Sequence, residues 1–152
     1  MTIKEFRKKI KPKIKLIIEN QEFFVKEVIK YRFDDGSYYI KCILNDDYIF
    51  ADDDESNAFI LGKDIEMSIQ EPFPKTLNFK NKKFTFLYTA HAKAEEVYGE
   101  KIFKKGYSES FWDYKASDDS YISLGIIDSN KKRLDMFGKI IKLNDVNIGQ
   151  IS

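Results

Sequence analysis

Apolar side chains recur at every second position over much of this chain, the period of a half-buried strand rather than of a helix. Residues 14–18, Ile-Lys-Leu-Ile-Ile, predict a first strand, and Glu19-Asn20-Gln21 a polar turn. The run from Glu22 to Phe33 puts Phe23, Val25, Ile29, Tyr31 and Phe33 on one face and Phe24, Lys26, Val28, Lys30 and Arg32 on the other. Asp34-Asp35-Gly36 predicts a hairpin turn, with glycine taking a positive φ that other residues resist. Tyr38 to Leu44 then returns antiparallel, with Tyr38, Ile40, Cys42 and Leu44 sharing a face. After Asn45-Asp46-Asp47 come strands at Tyr48–Ala51, Ala58–Leu61 and Ile65–Ile69, with a polar loop from Asp52 to Asn57.

The segment Glu71-Pro72-Phe73-Pro74-Lys75 divides the chain, because each proline fixes φ and removes a ladder donor. Beyond it, Thr76–Phe79, a Lys80-Asn81-Lys82 turn and a strand from Phe84 to Ala90 copy the opening of the first half, with Phe84, Phe86, Tyr88 and Ala90 inward. Residues 91–98 have helical propensity without an apolar stripe, which predicts a loop or one helical turn stopped by Gly99. Strands follow at about 102–104, 107–114, 120–127 and 132–137, and the tail from Lys139 to Ile151 suits an edge strand. At the other end, residues 2–11 predict a helix capped by Thr2, with Ile3, Phe6 and Ile10 on one side, too short to persist in water unless it docks.

Two stretches share a grammar. Tyr31 to Asp46 and Phe111 to Asp128 each run from an aromatic strand end through an Asp-Asp turn and a Ser-Tyr start to an apolar strand. One hairpin used twice predicts an all-β fold of two related antiparallel units, residues 14–71 and 75–152, behind a basic arm at 1–13. They would pack as adjacent small barrels or as one strongly bent sheet.

Composition supports strands, since 15% of the residues are aromatic. A length of 152 residues suits one compact domain. One Cys and one His exclude an internal disulfide and a zinc site of the usual nitrogen and sulfur type, so no cofactor is expected, and Cys42 reads as a buried thiol. No apolar run reaches the roughly 20 residues that span a bilayer, and the basic N-terminus lacks a following apolar region, so a cytoplasmic location is expected. Within the first fifteen residues, Lys4, Arg7, Lys8, Lys9, Lys11, Lys13 and Lys15 oppose Glu5 alone, giving +6 and leaving −5 for the rest of a chain of net charge +1. An acidic body with one basic arm is not a nucleic-acid-binding surface. The arm suits an anionic membrane face, or else a solvated and poorly ordered terminus.

On these residues the chain resembles a bacterial family of unknown function, the domain of unknown function 4178 type. Leu77 to Tyr88, Trp112-Asp113-Tyr114, and Tyr121-Ile122-Ser123-Leu124 to Gly138-Lys139-Ile140-Ile141 carry the resemblance in the second half. Ile17 through Leu44 and the acidic turn carry it in the first, so that it covers roughly residues 16–149. The resemblance implies a cytoplasmic all-β protein of two related β units and brings no catalytic residues. It also implies the company of envelope-associated proteins, and so a protein partner.

Candidate sites are few. Asp46, Asp47, Asp52, Asp53, Asp54 and Glu55 offer oxygens for a hard cation, but without the order of a helical calcium loop, and charged turns also keep hairpin ends solvated. His91 would need Glu95 or Glu96 and a distant Ser108, Ser110 or Cys42 to act catalytically, and it reads instead as an exposed loop histidine. Trp112 and Tyr114, with Tyr107 and Tyr121, suit either an aromatic binding platform or a core tryptophan with cross-strand partners. The function expected is a non-catalytic protein-interaction module presenting a sheet edge or an inter-unit groove. The alternative is a small-molecule or lipid binder using the cleft between the units, and an enzyme comes third.

Overall fold

The computed structural model describes residues 1–100 and 105–149, so the strand expected at 102–104 and the last residues of the tail lie outside the described residues. The described residues form one short helix, α1 (Ile3–Lys9), and eleven strands. The first five are β1 (Lys15–Ile18), β2 (Gln21–Phe33), β3 (Tyr38–Leu44), β4 (Tyr48–Asp53) and β5 (Ala58–Asp64). The remainder are β6 (Thr76–Phe79), β7 (Lys82–Gly99), β8 (Ser108–Lys115), β9 (Ser120–Ile127), β10 (Met136–Ile141) and β11 (Val146–Gly149).

All pairings are antiparallel, in the order β11-β1-β2-β3-β4-β5-β10-β9-β8-β7-β6, and β2 also pairs with β7. That last pairing closes β2 to β5 and β7 to β10 into an eight-stranded barrel, with β1, β11 and β6 added outside it. Closure removes most of the open edges that a sheet of this length would expose. The fold is therefore one barrel to which both halves contribute, neither two barrels nor an open bent sheet.

The halves meet along two seams where backbones approach closely. At the β5–β10 seam Gly138 stands opposite Gly62, and a Cβ on Gly138 would lie 2.0 Å from the Leu61 carbonyl oxygen. At the β2–β7 seam Gly99 has φ +113°, and a Cβ there would lie 2.2 Å from the Lys26 carbonyl oxygen. Arg32 reinforces this second seam with a two-pronged bond to Glu95 at 2.7 and 3.1 Å.

Bulges decide which side chains enter the barrel. An extra residue at Lys26 shifts the β2 register, so Phe23, Val25 and Val28 join one apolar cluster while Ile29, Tyr31 and Phe33 join another. The single face expected for Phe23 through Phe33 is thus split, and Val28 changes sides, because one inserted residue reverses the alternation beyond it. On β7 an extra Leu87 does the same: Phe84 and Phe86 pack outside the barrel and Tyr88 and Ala90 inside. A further extra residue, Glu95, lets β7 continue through 91–98, the stretch expected as a loop or helical turn. Backbone pairing to both β2 and β8 outweighs local helical propensity there.

Two apolar clusters lie on the outer wall. In the first, α1, β1, β11 and the start of β2 cover Ile40, Cys42, Leu44, Phe50, Phe59 and Leu61, and Phe6 meets Phe50 and Phe59 edge-on at 5.6 and 5.1 Å. Thr2 caps α1 as expected, accepting from the Glu5 amide at 3.1 Å. The arm is docked rather than loose: Ile3 and Phe6 are buried, and Arg7 pairs with buried Asp52 at 2.6 Å. In the second cluster, Ile65, Met67, Ile69, Phe73 and β6 lie over Trp112, Tyr114, Ile122 and Leu124. Residues 65–70 are not a strand as expected, since Arg133 and Asp135 satisfy the Ile65 and Met67 amides and the Ile69 carbonyl. The strand expected at 132–137 begins only at Met136, where pairing with Asp64 of β5 starts.

Strand order runs alike through both halves, but the two hairpins of shared grammar are not at equivalent places. Asp34-Asp35 joins the second and third strands of its half, and Asp118-Asp119 joins β8 to β9, the third and fourth of the other. Their likeness follows from what a tight acidic turn requires.

Gly138→Ala should cost about 3 kcal/mol, the upper end of overpacking losses, because its methyl meets backbone that cannot swing aside. Urea unfolding followed by far-ultraviolet circular dichroism measures it, and an unchanged midpoint would show that the seam tolerates widening.

Candidate functional site: a cavity inside the barrel

Alternation sends Tyr39, Lys41 and Ile43 of β3 and Ile49, Ala51 and Asp53 of β4 inward. Across the barrel, Glu109, Phe111 and Asp113 of β8 face Tyr121, Ser123 and Gly125 of β9. Barrels of eight strands are just wide enough to be filled by side chains or to hold one small ligand. Here Ala51, Ala90 and Gly125 leave room, and a cavity of about 790 Å³ remains. Its lining runs out to exposed Asp34, Asp35, Asp54 and Glu55 on the β2–β3 and β4–β5 turns, which form a mouth.

Asp113 is the polar centre of this cavity. The Tyr121 hydroxyl donates to its Oδ2, the Ser123 hydroxyl donates to its Oδ1 at 2.6 Å, and Tyr88 also bonds to it. Burial pushes the Asp113 carboxyl up to about 6, against the lowering effect of its three hydroxyl donors, and Asp53 raises it further. Burial and then Asp113 push the Tyr88 and Tyr121 hydroxyls well up, so both remain neutral donors. A second buried acid, Glu109, bonds with Tyr31, whose hydroxyl burial also raises, and the Tyr31 ring stacks on Tyr39 at 5.1 Å.

His91 stands beside the mouth on β7, opposite Ser110. Its Nδ1 lies 2.9 Å from Asp34 and its Nε2 2.7 Å from Asp128. Two carboxylates on two ring nitrogens favour the imidazolium, and the bonds to Asp34 and Asp128 raise the His91 pKa above its ordinary value. Rather than an exposed loop residue, it is a clamp that ties the tip of the β2–β3 hairpin to the end of β9. Glu95, the partner considered for it, instead binds Arg32.

The four aromatic candidates are not brought onto one platform. Tyr121 lines the cavity, whereas Trp112 and Tyr114 point to the outer wall, where Trp112 meets Phe73 edge-on at 4.8 Å and Tyr114 donates to the Pro74 carbonyl at 2.7 Å. Tyr107 packs against the cluster of Ile29, Tyr31 and Phe111. The acidic cluster is divided too, because Asp46 and Asp47 lie at the start of β4 and Asp52 to Glu55 at its far end. Among the described residues no three His, Cys, Asp or Glu side chains converge as a metal site. Cys42 is fully buried among apolar neighbours, and that burial raises its thiol pKa well up. Sequence reasoning missed Asp113, Glu109, Tyr88 and Tyr39. A signal existed at the end of β8, where Phe111 and Asp113 alternate with the aromatic Trp112 and Tyr114, the pattern of a strand covered on both faces.

No family model matches the chain, and neither a curated protein nor a solved structure matches it.

The imidazole of His91, the single histidine of the chain, should titrate above about 6.5, the ordinary value for this side chain. Asp128→Asn should bring it down, and proton NMR reads both without assignment ambiguity. Because the folded value is the higher one, the clamp stabilises below the unfolded pKa and is lost as pH rises through the folded pKa.

Asp113 has the opposite consequence from a salt-bridged acid. Its folded pKa of about 6 lies above the unfolded value, so the folded state holds the extra proton between about pH 4 and 6 and loses stability as pH rises through that window. Relative to Asp113→Asn, the wild-type chain should lose on the order of 2–3 kcal/mol from pH 4 to 7. Paired urea titrations test this, and a difference that does not vary with pH would overturn it.

Proposed function

We propose that this protein is a non-catalytic binder that holds one small amphipathic molecule inside the barrel. The observation that carries the reading is the cavity of about 790 Å³, lined by aromatic side chains and a few converging polar groups. That combination lies within the range of roughly 300–1,000 Å³ typical of small-molecule sites. The lumen lies between the two halves, which we read as related units because each opens with a short hairpin into a long bulged strand and both run in the same strand order. A catalytic reading is less favoured, since Cys42 is on the outer wall and the two serines that line the cavity donate to acids, Ser123 to Asp113 and Ser37 to Asp35.

A second reading, a protein partner that adds a strand, is favoured by β6 and β11, which stand at the two ends of the strand order. An anionic membrane surface remains a partner for Lys4, Lys8, Lys9, Lys11 and Lys13, which are exposed. Contact there would be electrostatic only, because Ile3 and Phe6 are spent in the core. No helix among the described residues is long and apolar enough to cross a membrane.

A thermal-shift screen of amphipathic small molecules tests the cavity. Compounds that raise the melting temperature of the wild-type chain should fail to do so when the lumen is filled by Ala51→Trp or by Ala90→Phe, each checked for fold by circular dichroism. Equal shifts in the filled variants, or none in the wild type, would overturn the proposal.

A further inference from the structure

Which head group the cavity accepts can be argued from its charges. Asp53 and Asp113 both line the cavity, and the charge of Asp53 raises the pKa of both Asp113 and Tyr88. Neither carboxylate has a cationic partner among the described residues; Asp113 is held by hydroxyls, and Asp53 accepts only a 3.4 Å bond from the Ser56 amide. Arg7 is bound to Asp52 and Arg133 to Asp135, and Lys41, which also lines the cavity, stands over the Tyr31 ring at 5.6 Å and acts on Asp64.

Aromatic rings line the space around these two acids. Phe111 lies 6.1 Å from Tyr39 and 6.4 Å from Tyr88, both at steep angles, so ring faces as well as edges border the cavity. A carboxylate pair with ring faces attracts a cation twice over, by charge and by the ring quadrupole. An anionic head group would meet the reverse: acids at the mouth, at Asp34, Asp35, Asp54 and Glu55, and a like-charge pair within.

Resting on the cavity reading above, we propose that the ligand class is the organic amine: an ammonium group seated between Asp53 and Asp113 among Tyr39, Tyr88, Phe111 and Tyr121, with an apolar body reaching toward Ile43 and Ile49. The same geometry rejects fatty acids and other amphipathic anions. Neutralising Asp113 should weaken the attraction, so amine affinity falls as pH drops below about 6. The charged and titratable groups that share the lumen with Asp113 are Asp53 of β4, Tyr39 and Lys41 of β3, Tyr88 of β7, Glu109 of β8 and Tyr121 of β9.

Three probes with one ring body separate the head groups: 1-naphthylmethylamine, 1-naphthalenemethanol and 1-naphthoate, each titrated calorimetrically into the full chain. The amine should bind about tenfold more tightly than the alcohol, with naphthoate weakest. In the double variant Asp53→Asn and Asp113→Asn, the preference of amine over alcohol should shrink to about threefold or less while the alcohol is unaffected. Should the double variant fail to fold, Asp53→Asn alone, at a half-buried position with no tertiary bond to lose, must reduce the preference. If the alcohol or naphthoate binds as tightly as the amine and is blocked by Ala51→Trp, the amine inference falls and the cavity reading stands. If none of the three binds at millimolar concentration, both fall.

Discussion

Barrel closure, the pairing of β2 with β7 and of β5 with β10, is the constraint on which the rest of this structure depends. Without it the chain is two curled sheets with open edges, and no inside exists. Closure needs backbones to touch where the halves meet, and glycines on both seams permit the approach. Once the sheet is closed, every strand residue must face either the lumen or the outer wall, so a single inserted residue in β2 or β7 decides the fate of the side chains after it.

The apolar material is distributed unusually for a small barrel. Two of the three buried clusters lie outside the wall, one beneath α1, β1 and β11 and the other beneath residues 65–79. Burying a large side chain contributes roughly 1.5–3 kcal/mol, and most of the large buried residues are placed there rather than within. With stability supplied by the outer wall, the lumen need not be filled. It can keep alanines, a glycine and a set of acids and tyrosines that an ordinary core would exclude.

The two buried acids, Asp113 and Glu109, remain inside because tyrosine and serine hydroxyls bond them. Asp113 takes three donors, and no buried side-chain polar atom among the described residues lacks a hydrogen bond. A satisfied buried carboxylate still carries a desolvation cost, which appears as its raised pKa and as a preference for a proton or a cation nearby. The His91 clamp belongs to the same economy of charge: it fastens the hairpin at the mouth with an imidazolium held by two acids. The mouth thereby stays acidic overall while its hairpin is tied down.

Much of the fold was legible in the sequence. Period-two patterning located most strands, the turn residues Glu19-Asn20, Asp34-Asp35-Gly36 and Lys80-Asn81 placed the hairpins, and Thr2 with Ile3 and Phe6 marked a helix that must dock, because these signals depend on neighbours within a few residues. Local grammar also misled where the deciding contact was remote. Residues 91–98 look helical alone and become strand only between β2 and β8, and the shared wording of two hairpins reported turn chemistry and not position. The site was the least legible part. Asp113 and Trp112 are adjacent in sequence yet face opposite sides of the wall, one toward a lumen and the other beneath Phe73. Alternation determined that they must part. Which of them would face inward was decided by register and closure between strands distant in the chain, since a face becomes an interior only when the sheet meets itself.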